Sequence, residues 1–142
     1  MTFVAPTAKI PRAAVAAGII ALTDEDAIAR HLLRPLFAAD AESVILAGFD
    51  AHARLIALEC LSAERKEHCR IAAQCWNRIL GRRIAALLMA HNHPSGTAEP
   101  SEADVRCTRE VVHFLTAAGI EMIDHLIFVE SGHFSFRNAQ LL

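Results

Sequence analysis

An unbroken apolar run at residues 84–90, with a polar loop directly after it, constrains the fold most strongly. A run of this kind, without polar alternation, is typical of a strand that is buried on both faces. Such a strand needs a packed layer on each side, so the sequence predicts a central sheet between helices. The chain has 142 residues, of which 54% are hydrophobic and 21% charged, and this is enough to bury one core.

Periodicity and capping residues predict the other elements of secondary structure. Each predicted helix is indicated by at least one of three features. These are apolar positions at helical spacing, a plausible N-cap such as Thr23, and a glycine directly after the last residue. The strands pair naturally as two hairpins around short turns. The predicted fold class is therefore α/β (of the α+β kind), with a central mixed β-sheet packed between helices. The predicted helices are residues 23–37, 67–80 and 101–118, and the predicted strands are residues 43–49, 54–60, 84–90, 120–130 and 133–137.

The N-terminal residues differ from the rest of the chain. Lys9 and Arg12 precede a weakly apolar run at residues 13–22, which superficially resembles a signal peptide. The run lacks a convincing cleavage site, and it is shorter than the ~20 residues that a membrane span needs. We therefore predict an N-terminal arm at residues 1–22 and a single domain at residues 23–142.

Charge and cysteine content narrow the function classes. The formal net charge of -2 gives no basic surface of the kind that binds nucleic acid. The cysteines show no C-x-x-C spacing, and several fall in apolar stretches, which indicates reduced core thiols. The sequence thus predicts a cytoplasmic protein without a membrane segment and without a nucleic-acid partner. The cysteines are Cys60, Cys69, Cys75 and Cys107.

The polar loop after the apolar run carries the chemistry. It reads HNHPSG at residues 91–96, and a helix that starts with SEAD follows at residues 101–104. Because side chains alternate along a strand, His91 and His93 are expected on the same face. Asp104, one turn inside the helix, can supply an oxygen to the same ion. Two nitrogen ligands and one oxygen ligand leave a position open for water, which is the pattern of a catalytic zinc site.

Other interpretations of these residues stay open. Ser101, placed three residues before Asp104, is also the pattern of a helix N-cap, and the two roles are compatible. The loop matches neither the zinc deaminases, which need a later P-C-x-x-C, nor the zincins, which need H-E-x-x-H. His125, beside Asp124, could support the metal ligands from behind, with strand capping as the alternative.

The spacing of His91, His93, Ser101 and Asp104 resembles the complete signature of the JAMM metallopeptidases, which are also called MPN+ or JAB. The string HNHPSG resembles the RadC branch of that superfamily. The likeness extends from about residue 22 to the C-terminus. It implies the cytidine-deaminase-like JAB/MPN architecture. Further RadC-like strings are DHLI at residues 124–127, FSFR at residues 134–137 and the closing Leu141-Leu142.

The resemblance implies a role for each matching residue. His91, His93 and Asp104 would bind Zn²⁺, and Ser101 would help stabilise the oxyanion. Glu59, a carboxylate that interrupts an apolar strand, would be the general acid–base residue, with an outward-facing strand residue as the alternative. The implied function is a zinc metallopeptidase of the isopeptidase type, which hydrolyses an amide bond in a protein substrate such as a ubiquitin-like modifier or its conjugate.

Two departures from the RadC pattern shape the remaining hypotheses. The chain is too short for the N-terminal helix-hairpin-helix region of RadC proteins, and residues 61–70 lack the expected H-P-R-E or Y-P-R-E string. Both favour a stand-alone JAMM domain over a DNA-repair role. A RadC-like accessory protein in DNA repair or recombination, without proteolysis, stays open as an alternative. A small-molecule amide metallohydrolase is the second alternative.

Overall fold

The computed structural model describes residues 27–62 and 73–142. Five strands form one mixed sheet in the order β2-β1-β3-β4-β5, which confirms the predicted fold class. The strands are β1 (Ser43–Phe49), β2 (Leu55–Ser62), β3 (Ala86–Asn92), β4 (Glu121–Val129) and β5 (Gly132–Ser135). The helices are α1 (Ile28–Leu33), α2 (Ala73–Leu80) and α3 (Glu102–Ala117), with a 3-10 turn at Arg34–Leu36 after α1.

Strand β3 is the centre of the sheet. It pairs antiparallel with β1 on one side and parallel with β4 on the other. All of its residues are buried, as the unbroken apolar run predicted, and the strand continues through His91 and Asn92. The hairpins β1–β2 and β4–β5 complete the sheet at its two ends. The histidine loop therefore begins inside the protein rather than at its surface.

Each face of the sheet has its own apolar core. Leu88 and its neighbours pack with α1 on one face, whereas Met89 and its neighbours pack with α2 and α3 on the other. The alternation of side chains along β3 produces this division. Burial of one such aliphatic side chain contributes about 1.5–3 kcal/mol, so the central strand is firmly held.

Helix α1 differs from the predicted regular α-helix. The N–H of Arg34 donates to the carbonyl of Ala29, a wide π-type bond, and the 3-10 turn that follows contains Pro35. Proline has no N–H, and its ring collides with the carbonyl four residues earlier, so an α-helix cannot continue through it. The predicted cap Thr23 and the predicted arm at residues 1–22 lie outside the described residues.

Two further expectations concern the thiols and the membrane. Cys60, Cys75 and Cys107 are free thiols, and Cys69 lies outside the described residues. Within the described part of the chain, every helix is too short or too polar to cross a membrane.

Candidate metal centre

His91 and His93 project from the same face at the end of β3, and their Nε2 atoms are 2.8 Å apart. The Asp104 carboxylate lies beside both rings. Its Oδ1 is 3.4 Å from Nε2 of His91, and its Oδ2 is 3.2 Å from Nε2 of His93. His91 and Asp104 are buried, whereas the His93 side chain is 15% exposed. The structure thus brings together the three residues that the sequence selected as metal ligands, with one side open to solvent.

These separations fit a single zinc ion. With nitrogen and oxygen ligands about 2.0–2.1 Å from a tetrahedral zinc, neighbouring ligand atoms are about 3.3 Å apart. The two histidine–carboxylate separations already lie near that value. The two Nε2 atoms would need to part by only about 0.5 Å to reach it. Two imidazoles and one carboxylate are also the donor types of catalytic zinc sites with three protein ligands.

A capping box holds Asp104 in place. The Ser101 N–H donates to Oδ2 of Asp104 at 2.9 Å, and the Asp104 N–H donates to the Ser101 hydroxyl oxygen at 3.0 Å. The N-cap interpretation of Ser101 is therefore confirmed. The hydroxyl accepts in this box, so its own proton is left for another acceptor. The predicted catalytic role of Ser101 is compatible with the cap and stays a prediction.

Glu42, which the sequence did not single out, joins the imidazole pair. One of its carboxylate oxygens and one ring nitrogen each of His91 and His93 all lie within 4.8 Å of one another. The pairing of β1 with β3 explains this, because Val44 lies opposite His91. Two residues further along each antiparallel chain, Glu42 comes level with His93. The sequence shows only an acidic residue before a strand, which acquires meaning once this pairing is known.

Glu59, the predicted acid–base residue, is not in that cluster. It lies on β2 opposite Leu46, which in turn lies opposite Met89. Strand spacings of about 4.8 Å and a rise of about 3.4 Å per residue put its Cα about 12 Å from that of His91. The carboxylate that the structure brings to the imidazoles is thus Glu42, and the role predicted for Glu59 stays a prediction.

The surroundings of Glu59 also correct one sequence interpretation. The residue is only 5% exposed, so the alternative of an outward-facing strand position is wrong. Its Oε1 is 3.5 Å from Nε of Arg78 on α2, while its Oε2 is buried and has no hydrogen-bond partner among the described residues.

His125 lies directly behind His91. Its Nε2 is 2.6 Å from Nδ1 of His91, and its Nδ1 is 2.6 Å from the Thr108 hydroxyl. The ring is fully buried and stacks on Phe136, with centroids 4.5 Å apart. His125 thus contacts a predicted metal ligand, as the first of its two interpretations expected. The neighbouring Asp124, rather than His125, caps the backbone at the end of the β4–β5 hairpin. Its carboxylate accepts from the backbone N–H groups of His125 and Arg137 and from the Ser135 hydroxyl.

The ionisation of the cluster follows from these contacts. Burial alone would raise the pKa of Asp104, but hydrogen bonds with His91 and His93 hold it far below its ordinary value. The hydrogen bond with Asp104 raises the pKa of His93. Burial lowers the pKa of His125 well below that of a free imidazole. The centre therefore contains an anionic carboxylate in front and a neutral imidazole behind.

A cavity of about 350 Å³ adjoins His93. Phe37 and Phe128 form apolar parts of its wall, with Arg34 and Glu130 at polar parts. The Arg34 guanidinium donates to two backbone carbonyls at the β4–β5 turn, both at 2.9 Å, and so fixes that wall. The volume of the cavity is near the lower end of the roughly 300–1,000 Å³ range of ligand pockets. The cavity can hold part of a substrate.

Several known proteins have sequences related to this chain. The family described as RadC-like JAB domain matches residues 22–141. A UPF0758 protein of Nitrosococcus oceani is 33% identical over 122 residues, which cover 85% of this chain and 54% of that protein. A UPF0758 protein of Cellvibrio japonicus is 36% identical over 99 residues, covering 69% of this chain and 41% of that protein. A UPF0758 protein of Vibrio parahaemolyticus is 46% identical over 59 residues, which cover 42% of this chain and 26% of that protein. The chain spans about half, or less, of the length of these relatives.

Proposed function

The chain belongs to the family of RadC-like JAB domains, and on that premise we propose that it is a zinc-dependent metallopeptidase of the isopeptidase type. The observation that carries the proposal is the convergence of two imidazoles and two carboxylates from separate segments of the chain. His91, His93 and Asp104 would hold the ion. When bound, zinc supplies a Lewis acid that acidifies a water molecule and polarises a carbonyl.

We assign the acid–base step to Glu42. Its carboxylate stands within 4.8 Å of the imidazole nitrogens, a separation that one water molecule can bridge. From this position it can accept a proton from the attacking water and deliver it to the leaving amine nitrogen. Glu42 is only partly buried, so substrate and solvent can reach it. Glu59 would have to reach past β1 to do the same.

Ser101 can stabilise the negative charge that develops on the carbonyl oxygen. Its oxygen accepts from the Asp104 N–H, so its proton can be donated to a substrate oxygen. The residue stands at the positive N-terminal end of α3, which favours the same charge. Cap and catalytic donor are thus two uses of one hydroxyl.

The substrate class we propose is an amide that joins a protein tail to an amine, as in the conjugate of a ubiquitin-like modifier. The cavity beside His93 offers room for a side chain next to the bond to be cleaved. Its modest size also favours a second candidate, hydrolysis of a small-molecule amide.

Cleavage assays with the zinc-loaded chain test these proposals. The substrates are a modifier–lysine conjugate and a panel of small amides, each incubated with and without a chelator. We expect cleavage that chelation abolishes, that zinc restores and that Glu42→Gln removes. Glu110→Gln, an exposed acid on α3, serves as the matched control and should retain full activity.

A zinc-loaded but inert chain would contradict the proposal. A folded chain that binds one zinc per molecule but cleaves neither substrate class is not a hydrolase of this kind. Salt-sensitive DNA binding by that inert chain would favour the accessory role in DNA repair instead, because phosphate contacts weaken as salt rises.

A further inference from the structure

A chain of buried hydrogen bonds runs from the back of the metal centre into α3. It connects the backbone carbonyl of Asp104, the Thr108 hydroxyl, His125 and His91. We propose that Thr108 and His125 are positioning residues that fix His91 as the tautomer with its proton on Nδ1, so that its Nε2 lone pair faces the metal site. The proposal deepens the proposed function and depends on the same metal centre.

The direction of the chain is set at Thr108. Its hydroxyl oxygen is 2.7 Å from the backbone oxygen of Asp104, and since a carbonyl only accepts, the hydroxyl proton must point there. The oxygen then has only lone pairs for its other neighbour, Nδ1 of His125, at 2.6 Å. His125 must therefore carry a proton on Nδ1.

The same argument passes through His125 to His91. The His125 ring is fully buried and stacked on Phe136, and its nitrogens contact a hydroxyl and an imidazole rather than a carboxylate, so burial disfavours the charged ring. A neutral ring with its proton on Nδ1 has a bare Nε2, which can only accept. Nδ1 of His91, 2.6 Å away, is therefore the donor. The remaining ring nitrogen of His91, Nε2, is left with its lone pair towards Asp104 and His93.

His93 reaches the same tautomer by a shorter route. Its Nδ1 is 2.8 Å from the backbone oxygen of Thr97, which can only accept, so this nitrogen carries a proton. Two Nε2 atoms thus face each other at 2.8 Å, with the Asp104 carboxylate beside them. Acceptors at this distance repel unless a positive charge, either a metal ion or an additional proton on His93, lies among them. The hydrogen bonds behind His91 therefore prepare a site that requires a positive charge.

Loss of the Thr108 hydroxyl would reverse this arrangement. His125 would no longer be held with its proton on Nδ1 and could place it on Nε2, pointing at His91. His91 would then have to accept at Nδ1 and carry its proton on Nε2, where the metal should bind. The effect reaches the centre through two rings without contact between Thr108 and the metal.

Zinc affinity of three variants tests the proposal. Thr108→Val keeps the shape of the side chain but removes the hydroxyl, and Thr108→Ser keeps the hydroxyl. Thr116→Val is the matched control, since Thr116 makes the same bond to a carbonyl one turn earlier, at 2.8 Å on the exposed side of α3. In competition with a chromophoric chelator, we expect Thr108→Val to weaken zinc binding by about 10–100-fold and the other two variants to stay within about threefold of wild type.

A spectroscopic measurement reads the tautomers without metal or substrate. Long-range ¹H–¹⁵N correlation spectra of the metal-free protein, at mildly alkaline pH, distinguish a proton on Nδ1 from one on Nε2. We expect Nδ1 protons on His91 and His125 in the wild type and in Thr108→Ser. In Thr108→Val, both rings should shift towards the Nε2 form.

The outcomes separate this proposal from the proposed function. A proton on Nε2 of His91 in the metal-free wild type would overturn the proposal that Thr108 and His125 fix the His91 tautomer. Unchanged zinc affinity in a folded Thr108→Val variant would overturn it too. If that variant does not fold, the wild-type spectrum decides alone. If the protein has the expected tautomers but binds no zinc, the proposed metallopeptidase function is contradicted. The positioning role of Thr108 and His125 is then still supported.

Discussion

Two regions of this protein bury a carboxylate against basic side chains, but they complete its contacts differently. Both oxygens of Asp104 have partners, from the imidazoles and from the N–H of Ser101. Glu59 has Arg78 near one oxygen, and its other oxygen has no hydrogen-bond partner in the described part of the chain. Burial of an acid therefore does not identify a catalytic group. The partners distinguish the two regions, because Asp104 lies beside imidazole nitrogens that can bind a metal ion, whereas Glu59 lies beside a guanidinium that cannot.

The side chains next to each carboxylate extend this contrast. Asp104 faces two imidazoles that can exchange a proton for a metal ion. Glu59 lies near Cys75, whose pKa is raised to about 12 by burial and, to a lesser degree, by the Glu59 charge. A thiol of this kind stays protonated and binds metal poorly. The contact between Glu59 and Arg78 links β2 to α2.

The largest effect is expected from exchanging the two candidate acid–base residues. Glu42→Gln should lower kcat for amide cleavage by about 10²–10⁴-fold, because it removes the proton acceptor but keeps the shape of the side chain. Glu59→Gln should leave kcat within a few fold of wild type in the folded fraction. Zinc-loaded proteins and steady-state kinetics provide the measurement. The reverse pattern would restore the original assignment of Glu59 and remove the contrast.

The next largest effect concerns stability at the Glu59 region. Arg78→Met should lower the free energy of unfolding by about 1–3 kcal/mol, since it leaves a buried carboxylate without its counter-charge. Urea unfolding measures the change, and Arg109→Met on the exposed face of α3 is the control.

A double-mutant cycle isolates the ion pair in that experiment. Adding Glu59→Gln to Arg78→Met should recover part of the loss, because the neutral amide does not need the missing charge. Strictly additive effects would mean that the pair contributes nothing beyond the separate contacts of each side chain.

The pH dependence of the metal-free protein sharpens the description of the metal centre. The raised pKa of His93 contributes stability that is full below its ordinary pKa of 6.5 and lost as pH rises through the raised value. The lowered pKa of Asp104 contributes stability that is full above 3.8 and lost as pH falls through the lowered value. The buried neutral His125 acts in the opposite direction to His93, because its lowered pKa removes stability as pH falls below 6.5. The Tm should therefore be highest near pH 6.5, and should decline on both sides.

As pH rises through the raised pKa of His93, the Tm of the metal-free protein should fall but its zinc affinity should rise. Zinc must displace the His93 proton, so its affinity should rise about tenfold per pH unit until that proton is gone. His93→Gln should remove the decline of Tm at high pH. A metal-free Tm that does not decline above pH 6.5 in the wild type would contradict the raised pKa of His93.

A comparison of Cys75 in the Glu59 region with Cys107 on α3 tests how firmly that region is closed. Cys75 should be alkylated far more slowly than the half-buried Cys107 in the native protein, since it is buried and its pKa is about 12. Mass spectrometry after timed exposure to iodoacetamide measures each rate. In denaturant the two rates should converge, and a fast native reaction at Cys75 would show that this region opens readily.

The convergence of His91, His93 and Asp104 could be predicted from the sequence because their arrangement is local. His91 and His93 share a face through strand alternation, and a capping box fixes Asp104 relative to Ser101. Each relation spans a few residues and needs no knowledge of the sheet. The central buried strand was equally predictable, because its apolar run leaves no other environment.

The remainder of the centre depends on strand pairing and could not be read in this way. Glu42 meets the histidines only through the register of β1 with β3, and His125 lies beside Met89 through the parallel pairing of β3 with β4. Glu59 drew attention because an acid stood in an apolar strand, but sequence alone does not reveal which cation faces it. The π-type turn before Pro35 was missed for a different reason, since the apolar spacing there still fits an α-helix.

Asn92, between the two histidines, faces the opposite side of the sheet and has a separate task. Its side chain accepts from the Ser43 N–H at 2.8 Å and donates to the carbonyls of Ala38 and Ala41 at 3.0 and 2.8 Å. The segment that carries Glu42 is thereby tied to the strand that carries the imidazoles. Three hydrogen bonds must break before the two can separate, so Glu42 and the two imidazoles behave as one rigid body. In the proposed reaction, the spacing between these groups would be set before a substrate arrives.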